Sequence, residues 1–440
     1  MTAFDPGLPG LIPELRWRGM FHAASEGLEA RLASGRPIAG YNGFDPSGPW
    51  LHIGHLVPIF GLIHLQRHGG RPVALMGGGT GMIGDPSGRS SERNLLTRDE
   101  IEANVEVLRP QFERLLDFSG PRGTLLLNNL DWLAPIQLLD WLRDVGKHFT
   151  IPYMLAKDSV QLRLERGLSF TEFSYMLIQA TDYAHLHRTL GVELQMGGAD
   201  QFGNITAGLE LIRRQAAVSG EAGGEAADGL KAEAYALAYP LLLAPSGSKF
   251  GKSEEGDSVW LHPDGTSPFA FYQHWLNTDD RDVPVYLRWF TTKDPDEIGA
   301  LEADLAAHPE ARGAQRALAL DITARVHGVD AADRAVRASE AAFSGGPIDD
   351  PEVLATLHRA TDGFEWRAAD TNEGLVPFLV ATGTFASRGE ARRMVEGGGL
   401  TINDTRVTDP AAAVPEAIAG EWLVVRVGKR RLRVGRRRGD

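Results

Sequence analysis

Two histidines three residues apart flank a glycine in Trp50-Leu51-His52-Ile53-Gly54-His55, where a strand-like run gives way to a helix-like one. Imidazoles can donate hydrogen bonds to phosphate or ribose oxygens. A helix start adds unpaired N–H groups and the positive end of its dipole, which favours phosphate. Gly54 would let a flat base approach the backbone. A metal pair needs a third ligand, and the chain has neither a cysteine nor the helical zinc motif. Taken alone, the segment could also be a structural pair at a helix cap. Downstream, Lys249-Phe250-Gly251-Lys252-Ser253 sets two lysines three apart in a Gly/Ser-rich loop. Such cations suit a polyphosphate whose charge shifts during reaction, although a charged loop can equally be a solvated one. The chain has no Gly-x-x-x-x-Gly-Lys-Ser/Thr loop, so ATP would have to be held this other way.

A third group lies on a helix. Ser169-Phe170-Thr171-Glu172 has the form of a capping box. Behind it Tyr175, Gln179 and Asp182 fall at i, i+4 and i+7, which places them on one face. Alone, that face could be a solvated polar stripe. As a pocket wall, the amide and phenol would hold an ammonium group and the carboxylate would accept from a substrate hydroxyl.

These groups must be positioned by an ordered frame. Strand-like runs cover Pro37–Phe44, Arg71–Met76, Thr124–Leu127, Val192–Met196 and Ala236–Leu243, and helical runs cover Gly54–Arg67 and about Gly203–Ala217. Alternating strands and helices predict an α/β fold with a doubly wound parallel sheet, in which ligands bind beyond the carboxyl ends of the strands. Ser219–Gly229 is rich in Gly, Ala and acids and reads as a surface insertion. Residues 267–344 are Ala/Glu/Arg-rich with a helical pattern and read as a small helical domain. A linker follows over 345–372. The end from 373 mixes a helical stretch with strand-like runs and reads as a small α+β module. The sheet domain is expected over 1–266.

The composition limits the rest. The 440 residues are 43% hydrophobic and 23% charged, with no cysteine, which excludes disulfide-stapled folds and thiolate chemistry. No basic-then-apolar leader is visible, and no apolar run approaches the ~20 residues that span a bilayer. A soluble cytoplasmic protein is expected. The net charge is −13. Residues 373–440 carry twelve Lys/Arg against eight Asp/Glu, +4, which leaves −17 on the rest. An acidic body with a basic end suggests a nucleic-acid partner touched by one module, or else a solvated basic terminus.

His52-Ile53-Gly54-His55 matches the HIGH signature of the class I aminoacyl-tRNA synthetases, and Lys249–Ser253 resembles their KMSKS loop with Phe-Gly for Met-Ser. Tyr41-Asn42-Gly43-Phe44-Asp45-Pro46 resembles the first strand of the tyrosine-specific branch. The resemblance covers essentially the whole chain and implies a Rossmann-like catalytic domain. It implies that Tyr41 and Asp182 bond the substrate phenol. Asp85, Tyr175 and Gln179 would hold the α-amino group, and Gln201 would lie near the carboxylate. ATP would be met by Gly43, Asp45, Ser47, His52, Gly54, His55 and Asp200. The terminal phosphates would be met by Lys249, Lys252, Ser253, Arg89 and Arg93. Relatives commonly carry lysine where Arg89 stands, and arginine keeps the charge but changes the geometry. Magnesium would travel with ATP, with no dedicated protein site. The end from Leu375 resembles an RNA-binding module shared with a ribosomal protein. Arg388, Arg392 and Arg393 share its probable helix face, and the basic run Arg426–Arg438 would add to them. The partners implied are tyrosine, ATP, the tyrosine tRNA and a second copy of the chain, with no membrane. Tryptophanyl enzymes and small-molecule adenylyltransferases are the rival readings; Tyr41 with Asp182 and the terminal module count against them.

Overall fold

The computed structural model describes residues 8, 10–85, 96–157, 160–161, 167–219, 233–242, 250, 258–344, 346–428 and 431–439. Arg89, Arg93, Lys249, Lys252, Ser253 and residues 220–229 of the expected insertion lie outside these. The chain divides into two compact units, residues 1–262 with 279–302, and 263–278 with 303–440. Among the described residues no helix is long and apolar enough to cross a membrane.

The first unit is built on a six-stranded sheet. Its strands are β1 (Ala23–Ala24), β2 (Ala39–Phe44), β3 (Arg71–Met76), β4 (Leu125–Asn128), β5 (Val192–Gly198) and β6 (Tyr235–Tyr239). The spatial order is β1-β6-β5-β2-β3-β4, with β1 antiparallel and the others parallel. From β2 the chain winds outward through β3 and β4, then returns to the other side of β2 with β5 and β6. The strand order therefore reverses between β2 and β5, which opens a crevice at their carboxyl ends. The last strand stops at Tyr239, short of the expected Leu243.

Close packing of helix on sheet relies on small residues. Helix α1 (Leu11–Arg18) precedes the sheet, and α2 (Leu56–Arg67) follows the histidine segment. A Cβ on Gly61 of α2 would lie 1.8 Å from the Tyr239 hydroxyl, and one on Gly40 of β2 would lie 2.9 Å from Leu65. At Gly61 a side chain would clash outright, and at Gly40 glycine lets Leu65 pack without shifting. Helix α3 (Arg98–Leu115) starts at a Thr97–Glu100 capping box. Helix α4 (Phe170–Leu190) starts at Ser169, whose hydroxyl accepts from the Glu172 N–H, and stops at Gly191 with φ 63°. Helix α5 (Phe202–Ser219) follows β5.

Residues 279–302 belong to this first unit, although they were expected in the helical domain. Their helix α6 (Val283–Phe290) buries Val283, Tyr286, Leu287, Trp289 and Phe290. Phe290 meets Phe60 of α2 edge-to-face at 5.8 Å. Arg18, buried at the end of α1, binds Glu14 at 2.7 Å and donates to the carbonyls of Arg288, Thr291 and Lys293 at 2.7, 3.0 and 2.8 Å. One guanidinium thereby satisfies the carbonyls at and beyond the end of α6.

The second unit contains helices Pro268–Leu276, Gly313–His327 and Val329–Ser344 and a five-stranded sheet. That sheet holds β7 (Phe364–Trp366), β8 (Leu400–Ile402), β9 (Thr405–Val407), β10 (Trp422–Val427) and β11 (Arg431–Arg437), in the order β7-β11-β10-β8-β9. The stretch expected to be a linker carries a helix, Pro351–Ala360, and the strand β7, which runs parallel to β11. Phe364 and Trp366 are core residues of this sheet, packed with Phe378 and Leu379. A three-residue Phe-Glu-Trp alternation is too short to stand out as a strand in sequence.

Arg18→Ala should destabilise the first unit by about 3–5 kcal/mol in urea unfolding, because Glu14 is left buried without its cation. A loss below about 1 kcal/mol would mean that α6 is held by its apolar face alone.

Candidate functional site

A cavity of about 510 Å³ opens at the switch point between β2 and β5. Its walls include Tyr41, Gly43, Asp45, Ser47, His52, Gly54, His55, Asp85, Tyr175, Gln179, Asp182, Asp200 and Gln201. Every described residue predicted for tyrosine or ATP is thus in one place. Tyr175, Gln179 and Asp182 share the wall formed by α4, as their spacing required. Gly43 is exposed although the flanking Asn42 and Phe44 are buried, and a Cβ there would meet nothing within 4 Å. The strand backbone is bare to the cavity at this point.

His52 caps a short 3₁₀ turn, Ile53–His55, that ends on His55 and leads into α2. The backbone N–H of His52 donates to His55 Nδ1 at 3.0 Å, and the N–H of Gly54 donates to His52 Nδ1 at 3.1 Å. Each neutral ring therefore carries its proton on Nε2. Burial pushes the His55 pKa down to about 3, helped by the charge of His52, and burial also lowers the His52 pKa. At neutral pH both rings are uncharged donors. Gly54 has a further role: a Cβ there would lie 2.7 Å from the His52 ring. Among the described residues no group of three metal-binding side chains occurs.

One end of the cavity is built around Asp182, which is 2% exposed. Asn129 Nδ2 donates to its Oδ2 at 2.9 Å and Trp132 Nε1 donates to its Oδ1 at 2.8 Å. Asn129 also donates to Thr80 Oγ1 at 3.1 Å, and Thr80 donates to Asp45 at 3.2 Å. Trp132 lies flat on His185, with centroids 4.5 Å apart. Burial raises the Asp182 pKa to about 7, opposed by the two hydrogen bonds and aided by the charge of Asp45. Tyr41 is fully buried against the edge of Tyr183, and its pKa is raised by burial and by the charge of Asp182. Among the described residues its hydroxyl has no hydrogen-bond partner, and neither do the buried side-chain oxygens of Gln179 and Gln195. Unpaired buried polar atoms are costly, so these three are poised for a ligand.

Elsewhere in the cavity Gln201 donates to Asp85 at 2.7 Å, joining two residues that the sequence placed separately. Burial and the charge of Asp85 raise the Asp200 pKa. The described wall holds four carboxylates and no lysine or arginine. That suits an ammonium group. Phe250 reaches this wall and stacks on Phe290, with centroids 5.2 Å apart and planes 9° apart.

Sequence reasoning missed Asn129, Trp132, Thr80 and Gln195. Asn129 was visible at the end of β4, but nothing local ties it to a carboxylate 53 residues away. In the second unit, Arg388, Arg392 and Arg393 are exposed on α7 (Arg388–Glu396), with Arg388 3.5 Å from Glu373. The basic run beyond them needs correcting. Arg426 donates to the carbonyls of Ala341, Ala342 and Gly346, and Arg433 is buried on the carbonyls of Asp362 and Thr382. These two cations hold the fold together and are not offered to a phosphate.

A parallel sheet with its crevice at the switch point, entered by a histidine pair at a helix start, is the architecture of a class I synthetase. The family of class I tRNA synthetases for tryptophan and tyrosine matches residues 33–344, and the C-terminal domain of tyrosine–tRNA ligases matches residues 359–434. A tyrosine–tRNA ligase of Anaeromyxobacter dehalogenans is 48% identical over 96% of this chain and 98% of that protein. One from Geobacillus stearothermophilus is 43% identical over 96% and 98%. A C-terminally truncated mitochondrial tyrosyl-tRNA synthetase of Aspergillus nidulans superposes with a TM-score of 0.68 at 29% identity, covering 77% of this chain and 95% of that one. The chain belongs to the tyrosine–tRNA ligase family.

The raised Asp182 pKa means that the folded, empty protein binds a proton more tightly than the unfolded chain does. Its contribution makes stability fall as pH rises from about 4 to about 7. Asp182→Asn should flatten that slope in urea titrations of ligand-free protein. Identical slopes in both proteins would contradict the burial effect.

Proposed function

We propose that this chain activates L-tyrosine with ATP and passes it to the 3′ end of the tyrosine tRNA. The reading rests on Asp182, a buried carboxylate held by two donors, which shares a cavity with the unpartnered Tyr41 hydroxyl. A substrate phenol supplies what both need, a donor to the carboxylate and a partner for the hydroxyl. Phenylalanine would leave both unpaired. Asp85, Tyr175 and Gln179 take the α-ammonium group, and Gln201 lies beside the carboxylate.

The tyrosine carboxylate attacks the α-phosphorus of ATP and pyrophosphate leaves. No protein nucleophile is needed, so catalysis is positioning and charge stabilisation. His52 and His55 donate through Nε2, His52 to the phosphate region and His55 near the ribose, with Asp200 on the ribose. The open backbone at Gly43, with Asp45 and Ser47, borders the nucleotide. The cations for pyrophosphate come from Arg89, Arg93, Lys249 and Lys252, aided by Ser253. Magnesium arrives with ATP. A ribose hydroxyl of the tRNA then attacks the adenylate. The helical parts of the second unit before residue 345 serve the anticodon region, and Arg388, Arg392 and Arg393 meet tRNA phosphates. The enzyme works in the cytoplasm.

A homodimer is part of this reading. The helix Leu138–Asp144 has no buried residue, yet Leu138 and Leu139 are 68% and 78% exposed. Ile151, seven residues beyond its end, is 58% exposed. Such a face calls for cover, and a second copy supplies it.

Tyrosine should support ATP–pyrophosphate exchange while phenylalanine and tryptophan do not; absence of tyrosine-dependent exchange would refute the assignment. Asp182→Ala should lose discrimination between tyrosine and phenylalanine by at least about tenfold in kcat/KM, in keeping with ~1–3 kcal/mol for an unpaired buried group. Leu139→Asp should yield a monomer in analytical ultracentrifugation, and an unchanged dimer would place the interface elsewhere.

A further inference from the structure

Residues 51–53 and 259–261 form a short antiparallel ribbon. The Ile53 N–H donates to the Val259 carbonyl at 3.0 Å, the Leu261 N–H donates to the Leu51 carbonyl at 2.7 Å, and His52 bridges Trp260. Side chains alternate along it. Leu51, Ile53, Val259 and Leu261 are all buried at 4% exposure or less. Trp50, His52, Trp260 and His262 take the opposite face and are all partly exposed. Trp50 lies parallel to His262, with planes 4° apart and centroids at 5.5 Å, and meets Trp260 edge-on at 5.8 Å. Trp260 in turn meets His52 at 6.2 Å. The result is a shelf of four rings. Only one of them, His52, lines the cavity. The other three are not among its lining residues.

We propose that this shelf stacks an unpaired nucleobase from the 3′ end of the tRNA. The inference rests on the function proposed above. Partly exposed rings beside a nucleotide cavity are the usual platform for single-stranded bases, because every base has a π face. The place fits the second half-reaction. The cavity is then filled by the adenylate, and the tRNA must bring its terminal ribose to it from outside. Bases near that ribose have to cross the rim, where the shelf begins at His52 and runs outward to Trp50. The other source of a nucleobase is ATP. Its adenine is tethered through ribose to phosphates held in the cavity, whereas Trp50 is not among the residues that line that cavity.

The test uses the full-length enzyme with Trp50→Ala and Trp50→Phe. Tyrosine-dependent pyrophosphate exchange and tRNA charging are measured side by side, with a tRNA lacking its unpaired 3′ nucleotides as a competitor. In Trp50→Ala, kcat/KM for tRNA should fall about fivefold to a hundredfold further than exchange does, the range expected for one lost base stack. Trp50→Phe, which keeps a ring, should recover most of it. The shortened tRNA should inhibit wild type and Trp50→Ala equally, since it lacks the stacked base. A raised KM for ATP with equal losses in exchange and charging would assign the shelf to adenine and overturn the proposal. Equal charging by wild type and Trp50→Ala would reduce it to internal packing. If wild type itself charges no tRNA with tyrosine, the function assignment fails instead.

Discussion

A carboxylate taken out of water must be compensated, and the compensation of Asp182 organises one end of the cavity. Its two oxygens are met by an amide and an indole N–H on the segment after β4. The same amide reaches Thr80, and through it Asp45 on the loop after β2. Three strand ends and one helix are therefore tied to one charge. Loss of any donor would leave a buried anion short of a partner and free the loops it holds. The Tyr41 hydroxyl has been left without such a partner. Among the described residues one group is fully held and its neighbour is not, an asymmetry that a packed core rarely keeps.

The sheet makes this convergence possible. Parallel strands put all their carboxyl ends on one edge, and reversal of winding between β2 and β5 parts the connections there. Residues far apart in sequence then meet without long loops. The glycines of β2 and α2 bring the histidine helix down onto the sheet, so the rings of His52 and His55 stay at the rim of the same crevice. Phe290 adds a tie across this layout, touching Phe60 behind the histidines and Phe250 between the two lysines.

Much of this was legible in the sequence. The run Arg71–Met76 is a strand from end to end, and the 4- and 7-residue steps from Tyr175 do share a face. Periodicity and cap chemistry are local and survive without neighbours. What stayed hidden is non-local. Asn129 and Trp132 look like ordinary turn and core residues until a carboxylate from another helix arrives. Arg433 reads as one more cation in a basic run until its backbone acceptors are seen. Residues 364–366 look like linker because a short strand has no period to speak of. The return of 279–302 to the first unit involves Arg18, whose acceptors stand about 270 positions later.

That last separation bears on how the molecule is made. The polypeptide leaves the sheet unit at residue 262, spends 263–278 in the other unit, and comes back for 279–302. A growing chain on the ribosome therefore cannot complete its nucleotide-binding half when the last sheet strand appears. Arg18 is translated early and waits for carbonyls about 270 residues on, which at ~5–20 residues per second is on the order of 15 to 50 s. Through that interval the nascent sheet lacks α6, and a fragment cut at residue 262 would be arrested in the same unfinished state.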